Sequence, residues 1–533
     1  MKTRFIFQFF ILCAFCSQSF SQGISSFTPE EDKFLAELNI FLEKGDRNAG
    51  EELFNEFYNF WTTIGFTQTE KEQIFYTSNA LLKKRANVFP CFADYLHALL
   101  NLKKSNLEGN EYDEWQNALN FYLTNKEIKL NKIDLFLSSI NRLITDNIIY
   151  QSTGIKWISK SRNYHFTFKD SIFRVEFEKT DLVCFSKNDS INVYNAAGNY
   201  YPVSKTWKGT KGTVFWEKAG LSRDSAYAEM NKYLIQLSRS LYEADSVRFI
   251  NRNFTKEFIL GRLEDKIIAA VNENRISYPR FKSYDKRIVV KNLYPGIDFE
   301  GSFSVHGGKL ISSNIKDEDS NMNIYYKGKP VMRATSKSFI FKKDMIIGIN
   351  TSISIKIDSD SIYHPGLLFK YYAAKSEVQL LRNGEGMSKS PWFNTYHKVD
   401  MDFELLTWKI TESKMDFGAL RGSGLRPAVF ESIDFYNGER YRNIQMMDKE
   451  HPFVLLTRYA KRIHSDEFTS REYCDYINKP FSQVRQQLMQ LSYIGVIAYD
   501  DDNELIKIKK RLYTYLKASV GKTDYDVISL ISS

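Results

Sequence analysis

Two acidic residues with strand-like spacing, Asp298 and Glu300, are the best candidates for a catalytic pair in this sequence. They flank Phe299, and residues two apart in a β-strand leave the same face about 7 Å from each other. Paired carboxylates near that separation hydrolyse glycosidic bonds. Aromatic rings that could stack on the sugar are Tyr200, Tyr201, Trp207 and Trp216. Acidic residues at this spacing are also ordinary on the wet face of a strand, so solvated surface is the alternative interpretation.

Other motifs that would hold a cofactor, a metal or a nucleophile are incomplete. Gly521-Lys522-Thr523 matches the end of a phosphate-binding loop, but Leu516 stands where that loop requires its first glycine. Gly422-Ser423-Gly424 matches the centre of a Gly-x-Ser-x-Gly turn, but Arg421 occupies the first glycine position. The histidines are scattered, at His97, His165, His306, His364, His397, His451 and His464. We therefore expect no cofactor and no metal site.

The N-terminus has the pattern of a signal peptide over residues 1–21. Lys2 and Arg4 precede an apolar run from Phe5 to Phe15, and the small residues Ser19 and Ser21 predict cleavage before Gln22. The apolar run is shorter than the roughly 20 residues that span a bilayer, and no later run reaches that length. We expect an exported mature chain without a transmembrane span. Neither Cys13 nor Cys16 follows a small residue, so we expect no lipid anchor.

Size, charge and cysteine content exclude several classes of protein. A chain of 533 residues with 43% hydrophobic and 26% charged residues predicts two to four folded domains rather than disorder. Removal of Lys2 and Arg4 with the leader lowers the formal net charge from +9 to +7, a mild excess. The cysteines that remain are too far apart for a disulfide framework or a zinc pattern and are expected to be buried apolar residues: Cys91, Cys184 and Cys474.

The pattern predicts a helical domain over residues 22–150, arranged as a bundle or short helical array. Thr28-Pro29-Glu30-Glu31 predicts a helix start with Thr28 as the cap, and Gly45 predicts its end. Apolar residues then recur at helical spacing in further stretches, which are Glu52–Thr63, Glu70–Leu82, Cys91–Leu102, Glu114–Tyr122 and Ile133–Ile144. Short polar loops between them favour antiparallel neighbours.

Over residues 151–451 the period of the apolar pattern changes to two, as in Ser352–Asp358. This alternation predicts an antiparallel β-rich region, either a sandwich or a stacked β-array, with one helical interruption near Ser225–Ala244. An Asp-Ser-aliphatic step recurs at Asp189, Asp245 and Asp360. The region resembles the repeating β-arrays of outer-envelope lipid-transport proteins, in which acidic turns introduce new strands.

Residues 452–533 predict a compact helical module with a hairpin. Ser470–Ile477 and a helix capped by Ser482 and ended by Gly495 are followed by the strand pair Val496–Tyr499 and Leu505–Ile508. This order resembles a winged helix, with the Ser482 helix in the position that reads a DNA groove. A further β segment begins near Asp526–Ile531.

Charge argues against nucleic acid as the partner of this module. Glu467–Lys522 contains nine Lys or Arg against seven Asp or Glu, and Arg485 is the lone cation of the candidate recognition helix. Asp500–Asp502 puts three negative charges at the wing tip, where they would repel phosphates. We therefore expect a packing or protein-docking module and no nucleic-acid binding.

Several strings in the chain resemble a family of long exported Bacteroidota proteins of unknown function. They are Asp181–Ser186, Gly198–Pro202, Gly212–Glu217, Ser277–Phe281 and Lys522–Ile528. The resemblance implies a periplasmic or outer-envelope location and supplies no catalytic residues. Members of that family continue past the position of Ser533, so we expect this chain to be an N-terminal part of a longer protein.

The sequence therefore predicts an exported α+β multidomain protein with a structural or interaction role in the bacterial envelope. Its expected partners are envelope proteins or the envelope surface. Two alternatives stay open. A carbohydrate-active hydrolase predicts a concave site around Asp298 and Glu300, and a lipid-handling β-array predicts an apolar groove between β layers.

Overall fold

The computed structural model describes the chain in segments, with short gaps between them. The segments are 24–63, 65–105, 110–268, 277–285, 287–312, 319–342, 344–383, 386–419, 427–445, 449–500 and 503–532. The expected signal peptide and Gly422-Ser423-Gly424 lie outside them. The described residues form two compact units, the first from parts of 1–214, 229–246 and 264–271, and the second from parts of 215–228, 247–263 and 272–533.

Helices and antiparallel strands together confirm the α+β multidomain class. The change from helices to strands at Ile148 lies close to the predicted boundary at 150, but helices return at Gly438, before the predicted boundary at 451. The compact units group the chain differently. The first unit combines the helices of the N-terminal region with the first strands, and the second contains the rest of the β-rich region and the C-terminal module.

The first unit begins with helices at the positions that the apolar periodicity predicts. They are α1 (Glu31–Gly45), α2 (Arg47–Thr63), α3 (Gln68–Lys83), α4 (Ala93–Lys104), α5 (Glu111–Thr124) and α6 (Leu130–Asp146), with a π turn at Val88–Phe92. In α2 the aromatic residues Phe57 and Trp61 are buried, whereas Tyr58 is exposed. In α3, Thr67 and Glu70 form a reciprocal capping box.

The start of α1 differs from the prediction. Glu30 is the N-cap residue, and it makes no side-chain capping bond. Thr28 lies outside the helix, where its hydroxyl donates to Glu37 Oε1 at 2.6 Å and its backbone N–H donates to Glu37 Oε2 at 2.7 Å. Hydrogen bonds to a charged carboxylate are stronger than those between neutral groups. Thr28 therefore donates to Glu37 and does not cap the helix. Gly45 ends the helix as expected.

The first strands follow directly on α6. They are β1 (Ile148–Gln151), β2 (Lys156–Ser159), β3 (His165–Lys169), β4 (Ile172–Ser186), β5 (Asp189–Tyr201), β6 (Thr206–Phe215), β7 (Ala226–Met230), β8 (Tyr233–Gln236), β9 (Leu241–Asn251) and β10 (Ile259–Lys266). Within the first unit the long strand β4 pairs with β3 along its first half, with β2 along its second half and with β5 throughout. Aromatic side chains join helices to strands, as where Phe136 meets Phe173 at 5.0 Å between ring centroids.

The predicted helix near Ser225–Ala244 is wrong, because this segment contains β7, β8 and the start of β9. Ala226, Ala228 and Met230 are buried while the residues between them are partly exposed, which is a period of two. In β8, Ile235 pairs with Trp207 of β6. Alanine, leucine and methionine favour helices, but strand pairing and burial override that intrinsic preference.

The β-rich part of the second unit continues the antiparallel pattern. Its strands are β11 (Arg280–Ser283), β12 (Ile288–Tyr294), β13 (Ile297–Gly301), β14 (Phe303–His306), β15 (Lys309–Ser312), β16 (Ser320–Tyr326), β17 (Lys329–Ser336), β18 (Phe339–Lys342), β19 (Met345–Ile357), β20 (Asp360–Tyr372), β21 (Glu377–Leu381), β22 (Trp392–Asn394), β23 (Val399–Asp402), β24 (Leu405–Lys409), β25 (Met415–Gly418) and β26 (Ala428–Ser432). Short 3₁₀ turns lie at Glu217–Ala219, Ala373–Lys375 and Gly386–Lys389.

These strands form two hydrogen-bonded rows that share the long β19–β20 hairpin. The first row runs β12–β13–β16–β17, then the second half of β19, the first half of β20, and β22–β23–β26. The second row runs β11–β14–β15–β18, then the other halves of β19 and β20, and β21–β24–β25. The chain visits the rows alternately, which makes the predicted stacked β-array.

The buried faces of the two rows meet in an aromatic core. Phe299 of the first row and Phe341 of the second lie 5.1 Å apart between ring centroids. Two of the three Asp-Ser-aliphatic steps begin a long strand, at Asp189 in β5 and Asp360 in β20. The third, at Asp245, lies inside β9.

The C-terminal module has the element order of a winged helix. After α7 (Gly438–Gln445), its elements are α8 (Pro452–Ile463), β27 (Glu467–Thr469), α9 (Ser470–Ile477), α10 (Phe481–Tyr493), β28 (Ile497–Asp500), β29 (Leu505–Ile508) and α11 (Lys510–Ser519). The strands form a three-stranded sheet in the order β27–β29–β28. Ser482 does not cap α10 as predicted, because the helix starts at Phe481, after Pro480. Gly495 follows the helix with φ +77°.

The last strand, β30 (Ser529–Ser532), leaves this module and pairs antiparallel with β26. It therefore extends the first row by one strand. The cysteines Cys91, Cys184 and Cys474 are unpaired and buried, as expected.

Candidate functional site

Asp298 and Glu300 lie on one face of β13, as predicted, but each serves the hairpin that contains it. Asp298 Oδ1 accepts the backbone N–H of Asn292 at 2.8 Å, where Asn292 has φ +54°. Glu300 forms an ion pair with Arg287. Asp298 therefore stabilises the β12–β13 turn and Glu300 the other end of this hairpin, and neither carboxylate lines the clefts described below.

The aromatic residues expected to stack on a sugar are mostly inside the core. Tyr200, Trp207 and Trp216 are buried, so that part of the expectation is wrong. Trp216 packs on Phe249 with ring centroids 4.9 Å apart. Tyr201 is half-buried, and the ammonium group of Lys208 lies 4.9 Å from its ring centroid. These rings offer no platform to a sugar.

Side chains that could ligate a metal or act as nucleophiles are dispersed or sequestered. Among the described residues, His, Cys, Asp and Glu form no group of three or more that could hold a metal ion. Burial raises the pKa of the Cys91 thiol, and likewise of Cys184, to about 12, so both stay protonated. Buried thiols of this kind are inert.

His364 is a buried histidine of the second unit with a strongly lowered pKa. Its Nδ1 accepts the backbone N–H of Gly366 at 3.2 Å, so Nε2 carries the proton and donates to the carbonyl of Ser390 at 2.9 Å. Burial lowers the pKa of His364 to about 3, and the nearby Arg382 acts in the same direction. Both ring nitrogens are therefore hydrogen-bonded, and the ring holds the loop before β22 in place.

One end of α10, the helix in the groove-reading position of the winged helix, packs against the first row of strands. Tyr493 donates its hydroxyl to Asp402 Oδ2 at 2.9 Å, and Ser492 Oγ lies 3.1 Å from Ser390 Oγ in a buried contact. Between α10 and the strands lies a cleft of about 930 Å³, lined by residues such as Arg382, Gln486 and Met489. Duplex DNA could not lie along this face of α10.

Two cations of the wing, Lys507 and Lys509, also contact other side chains of the protein. The ammonium group of Lys509 lies 5.6 Å from the ring centroid of Tyr363 and 5.8 Å from that of Phe393. Burial lowers the pKa of Lys509. Lys507 pairs with Glu467 at 3.2 Å. Phosphate contacts dominate the affinity for duplex DNA, and these side chains are turned to protein partners.

A buried charge cluster holds the module on the array. Arg511 of α11 forms ion pairs with Asp400 of β23 and, at 3.1 Å, with Glu431 of β26. Arg440 binds the same Glu431 through both of its terminal nitrogens, at 3.0 and 2.7 Å. Burial lowers the pKa of Arg511 to about 10, so it stays charged at neutral pH. Nothing in the local sequence signals this cluster, because its members come from separate elements.

The surface that stands out is the end of the β-array. Leu530 of β30 is 65% exposed. It pairs with Phe430 of β26, which pairs in turn with the buried Met401 of β23, so Leu530 lies on the core-facing side of the row. Phe417 of β25, the last strand of the second row, is 41% exposed. No described strand pairs with the outer edge of either β30 or β25. At this end of the array, apolar side chains on the core-facing side of both rows are therefore exposed to solvent.

The exposed strand continues an apolar segment that begins before it. Val527, Ile528 and Ile531 are all more than half exposed. The sequence predicts a β segment here, whereas the position of β25 at the end of the second row depends on pairing that local pattern does not show.

No family model, curated protein or solved structure matches this chain. None of the helices in the described segments has the length and apolar content needed to cross a bilayer. The function must therefore be inferred from the surfaces of the chain itself.

Proposed function

We propose that this chain is exported to the bacterial envelope and acts there as a scaffold. In this role it binds an extended segment of a partner envelope protein along β30. The observation that carries the proposal is an apolar strand whose outer edge is unpaired within the described part of the chain. Unpaired strand edges present a row of N–H and C=O groups, and natural proteins normally protect them.

The ladder between β26 and β30 defines which groups a partner would meet. Ser432 donates its N–H to Ile528 O at 3.1 Å, and hydrogen-bonded pairs alternate along an antiparallel ladder. Leu530 therefore bonds to Phe430, while the N–H and C=O groups of Ser529 and Ile531 point outward. An added antiparallel strand would bond to those outward groups, as in strand-addition complexes.

The chemistry of the partner follows from the two faces of β30. Leu530 faces the side where the core lies, and Ile531 faces the opposite side. A segment with apolar residues at alternate positions would continue the core beyond Leu530 and Phe417. Repeat arrays need such covering at their ends, because an exposed inner face is poorly soluble.

Export is supported by the basic start, apolar run and small residues of positions 1–21. The resemblance to exported Bacteroidota proteins points to the same compartment. A protein in that compartment would not meet DNA. This agrees with the packing of α10 against the first row of strands.

The test is site-specific photocrosslinking in the native host, with the photoreactive residue at Ser529. The expected product joins Ser529 to an extended segment of one envelope protein, identified by mass spectrometry of the crosslinked peptide. Ile531→Pro should abolish this product, because it removes an outward N–H without touching the β26 ladder. Ile531→Ser, the matched control, keeps the N–H and should retain it.

Two results would overturn the scaffold proposal. One is an adduct of the chain with itself, which would assign the edge to self-association. The other is the absence of a product, or a product of equal yield in the Ile531→Pro variant. A reporter at the exposed Ile40 of α1 controls for nonspecific crosslinking.

The lipid-handling alternative has support from the two-row architecture but not from its interior. Phe299, Phe339, Phe369 and Leu406 are fully buried between the rows. The described residues therefore form a filled core over most of the array rather than a continuous groove. No observation favours the hydrolase alternative.

A further inference from the structure

The core of the second unit is interrupted by a cleft of about 700 Å³ at the side of the β-array. It opens beside the β12–β13 turn and the β14–β15 turn, so elements of both rows contribute to its wall. Ligand sites in proteins commonly have volumes of about 300–1,000 Å³. The cleft is therefore large enough for a small ligand and is separate from β30.

The floor of the cleft is apolar. It is formed by apolar side chains, of which the last four are buried and the first two partly exposed: Leu221, Leu293, Phe254, Val305, Leu310 and Phe341. Phe254 makes T-shaped contacts with Phe299 and Phe341, at 6.1 and 5.9 Å between ring centroids, so its ring is held by the aromatic core. A floor of alkyl and aromatic side chains suits a hydrocarbon chain, because the burial of apolar surface is favourable.

The rim of the cleft is polar and includes a lysine. Lys342 lines the cleft, is exposed, and forms no ion pair with any described residue. Asn251 is only 7% exposed, and its Oδ1 accepts the N–H of Asn253 at 3.1 Å. The side-chain NH₂ of Asn251 has no hydrogen-bond partner among the described residues and is left as a donor at the cleft.

The lining has no negative charge that would oppose an anionic ligand, because its described residues include no Asp or Glu. The lining suits binding, and a cation and amide donors at the rim suit an anionic head group.

We propose that this cleft binds an amphiphile with one alkyl chain and an anionic head. The chain occupies the floor beside Phe254 and Phe341. The head lies at the rim, where Lys342 and the Asn251 amide donate to it. This role is additional to the binding of a partner at β30.

The test is a titration of the purified full chain with alkyl phosphates below their micelle concentrations, followed by calorimetry. We expect one site per chain and an affinity that rises about fourfold for each buried methylene, until the floor is filled. Dodecanol, which lacks the anion, and inorganic phosphate, which lacks the chain, should each bind at least tenfold more weakly than dodecyl phosphate.

Variants locate the site. Leu293→Trp fills the cleft and should abolish saturable binding, and Lys342→Glu should weaken it about tenfold. Lys356→Glu, which reverses an exposed charge on β19 away from the cleft, is the matched control and should have no effect. Circular dichroism and thermal melting establish that each variant is folded.

The proposal is overturned if alkyl phosphates show no saturable binding, if affinity is independent of chain length, or if Lys342→Glu and Lys356→Glu behave alike. The two proposals fail independently. Ile531→Pro should leave alkyl phosphate binding unchanged, and Lys342→Glu should leave the Ser529 crosslink unchanged.

Discussion

At the scale of single residues, Arg511 is the centre of a buried charge cluster in the second unit. Its guanidinium is buried with the carboxylates of Asp400 and Glu431, and the three side chains belong to different elements. A buried ion pair need not stabilise a fold more than apolar residues would. Removal of one partner, however, leaves the other as an uncompensated buried charge.

We predict that Arg511→Met lowers the free energy of unfolding by about 3–5 kcal/mol, because Asp400 loses its cation. Urea denaturation of the purified chain measures the change. Asp400→Asn combined with Arg511→Met should recover part of the loss, since no unpaired charge remains. Arg458→Ala breaks the exposed pair with Glu450 and serves as the control, for which we expect no measurable change. Equal effects of Arg511→Met and Arg458→Ala would contradict the role of the cluster.

His364 makes the stability of the second unit depend on pH. Its pKa is lowered to about 3 in the folded chain, whereas an unfolded histidine has a pKa near 6.5. Below pH 6.5 the unfolded state therefore binds a proton that the folded state does not. The stability that this neutral histidine supplies is complete above about pH 6.5 and is lost as the pH falls towards 3.

We predict that the His364 contribution lowers the free energy of unfolding by about 2 kcal/mol between pH 7 and pH 5. His364→Gln cannot titrate and should remove this component of the slope, whatever its effect on stability at pH 7. His464→Asn is the control, because His464 is exposed at the left-handed end of α8. Denaturation at several pH values checks this prediction, and an unchanged slope in His364→Gln would refute it.

At the scale of elements, the contact between the winged helix and the first row depends on a glycine. Gly495 has φ +77°, and a β-carbon there would lie 2.9 Å from Pro391 Cγ and 3.4 Å from a ring carbon of Phe393. Gly521 has φ +68° with no atom within 4 Å of such a β-carbon. The two positions share the backbone conformation and differ only in packing.

We predict that alanine costs about 1 kcal/mol at Gly521, for the left-handed conformation, and more than that at Gly495, where Pro391 must also move. The difference between the two free energies of unfolding measures how tightly the turn after α10 packs on the strands. Chemical denaturation of both variants provides the values. If Gly495→Ala costs no more than Gly521→Ala, the contact with Pro391 is loose.

At the scale of the whole molecule, the C-terminal module has the element order of a winged helix and packs against the β-array. Tyr493 and Lys509 make their contacts within the second unit. We predict no saturable binding of a 30-base-pair duplex at protein concentrations up to about 100 µM in physiological salt, measured by fluorescence anisotropy. Binding near 1 µM with a steep salt dependence would show that the packing opens.

The proposed export of the chain can also be tested directly. We predict that the protein in the envelope fraction of its host begins at Gln22, as determined by mass spectrometry of the N-terminal peptide. Leu12→Arg interrupts the apolar run and should leave unprocessed protein in the cytosol. An intact Met1 terminus in the wild-type cytosol would remove the basis of the scaffold proposal.

Local pattern was sufficient to predict much of the fold. The helices α1–α6, the change to strands near residue 150 and the hairpin of the winged helix are all encoded by periodicity within about 15 residues. The failure near Ala226 comes from contacts outside the local window, because strand pairing with β6 overrides helix preference at β8. The failure at Ser482 is a boundary error of one residue, because α10 starts at Phe481.

The sequence alone determined the alternation of helix and strand periods, the N-terminal export pattern and the lack of a complete catalytic motif. The tertiary structure decided that Asp298 serves a turn, that Arg511 meets Asp400 over more than a hundred residues of chain, and that β30 and β25 end together. Such features depend on the register and packing of distant strands. Periodicity places a side chain on a face of its own element, but only folding decides what that face meets.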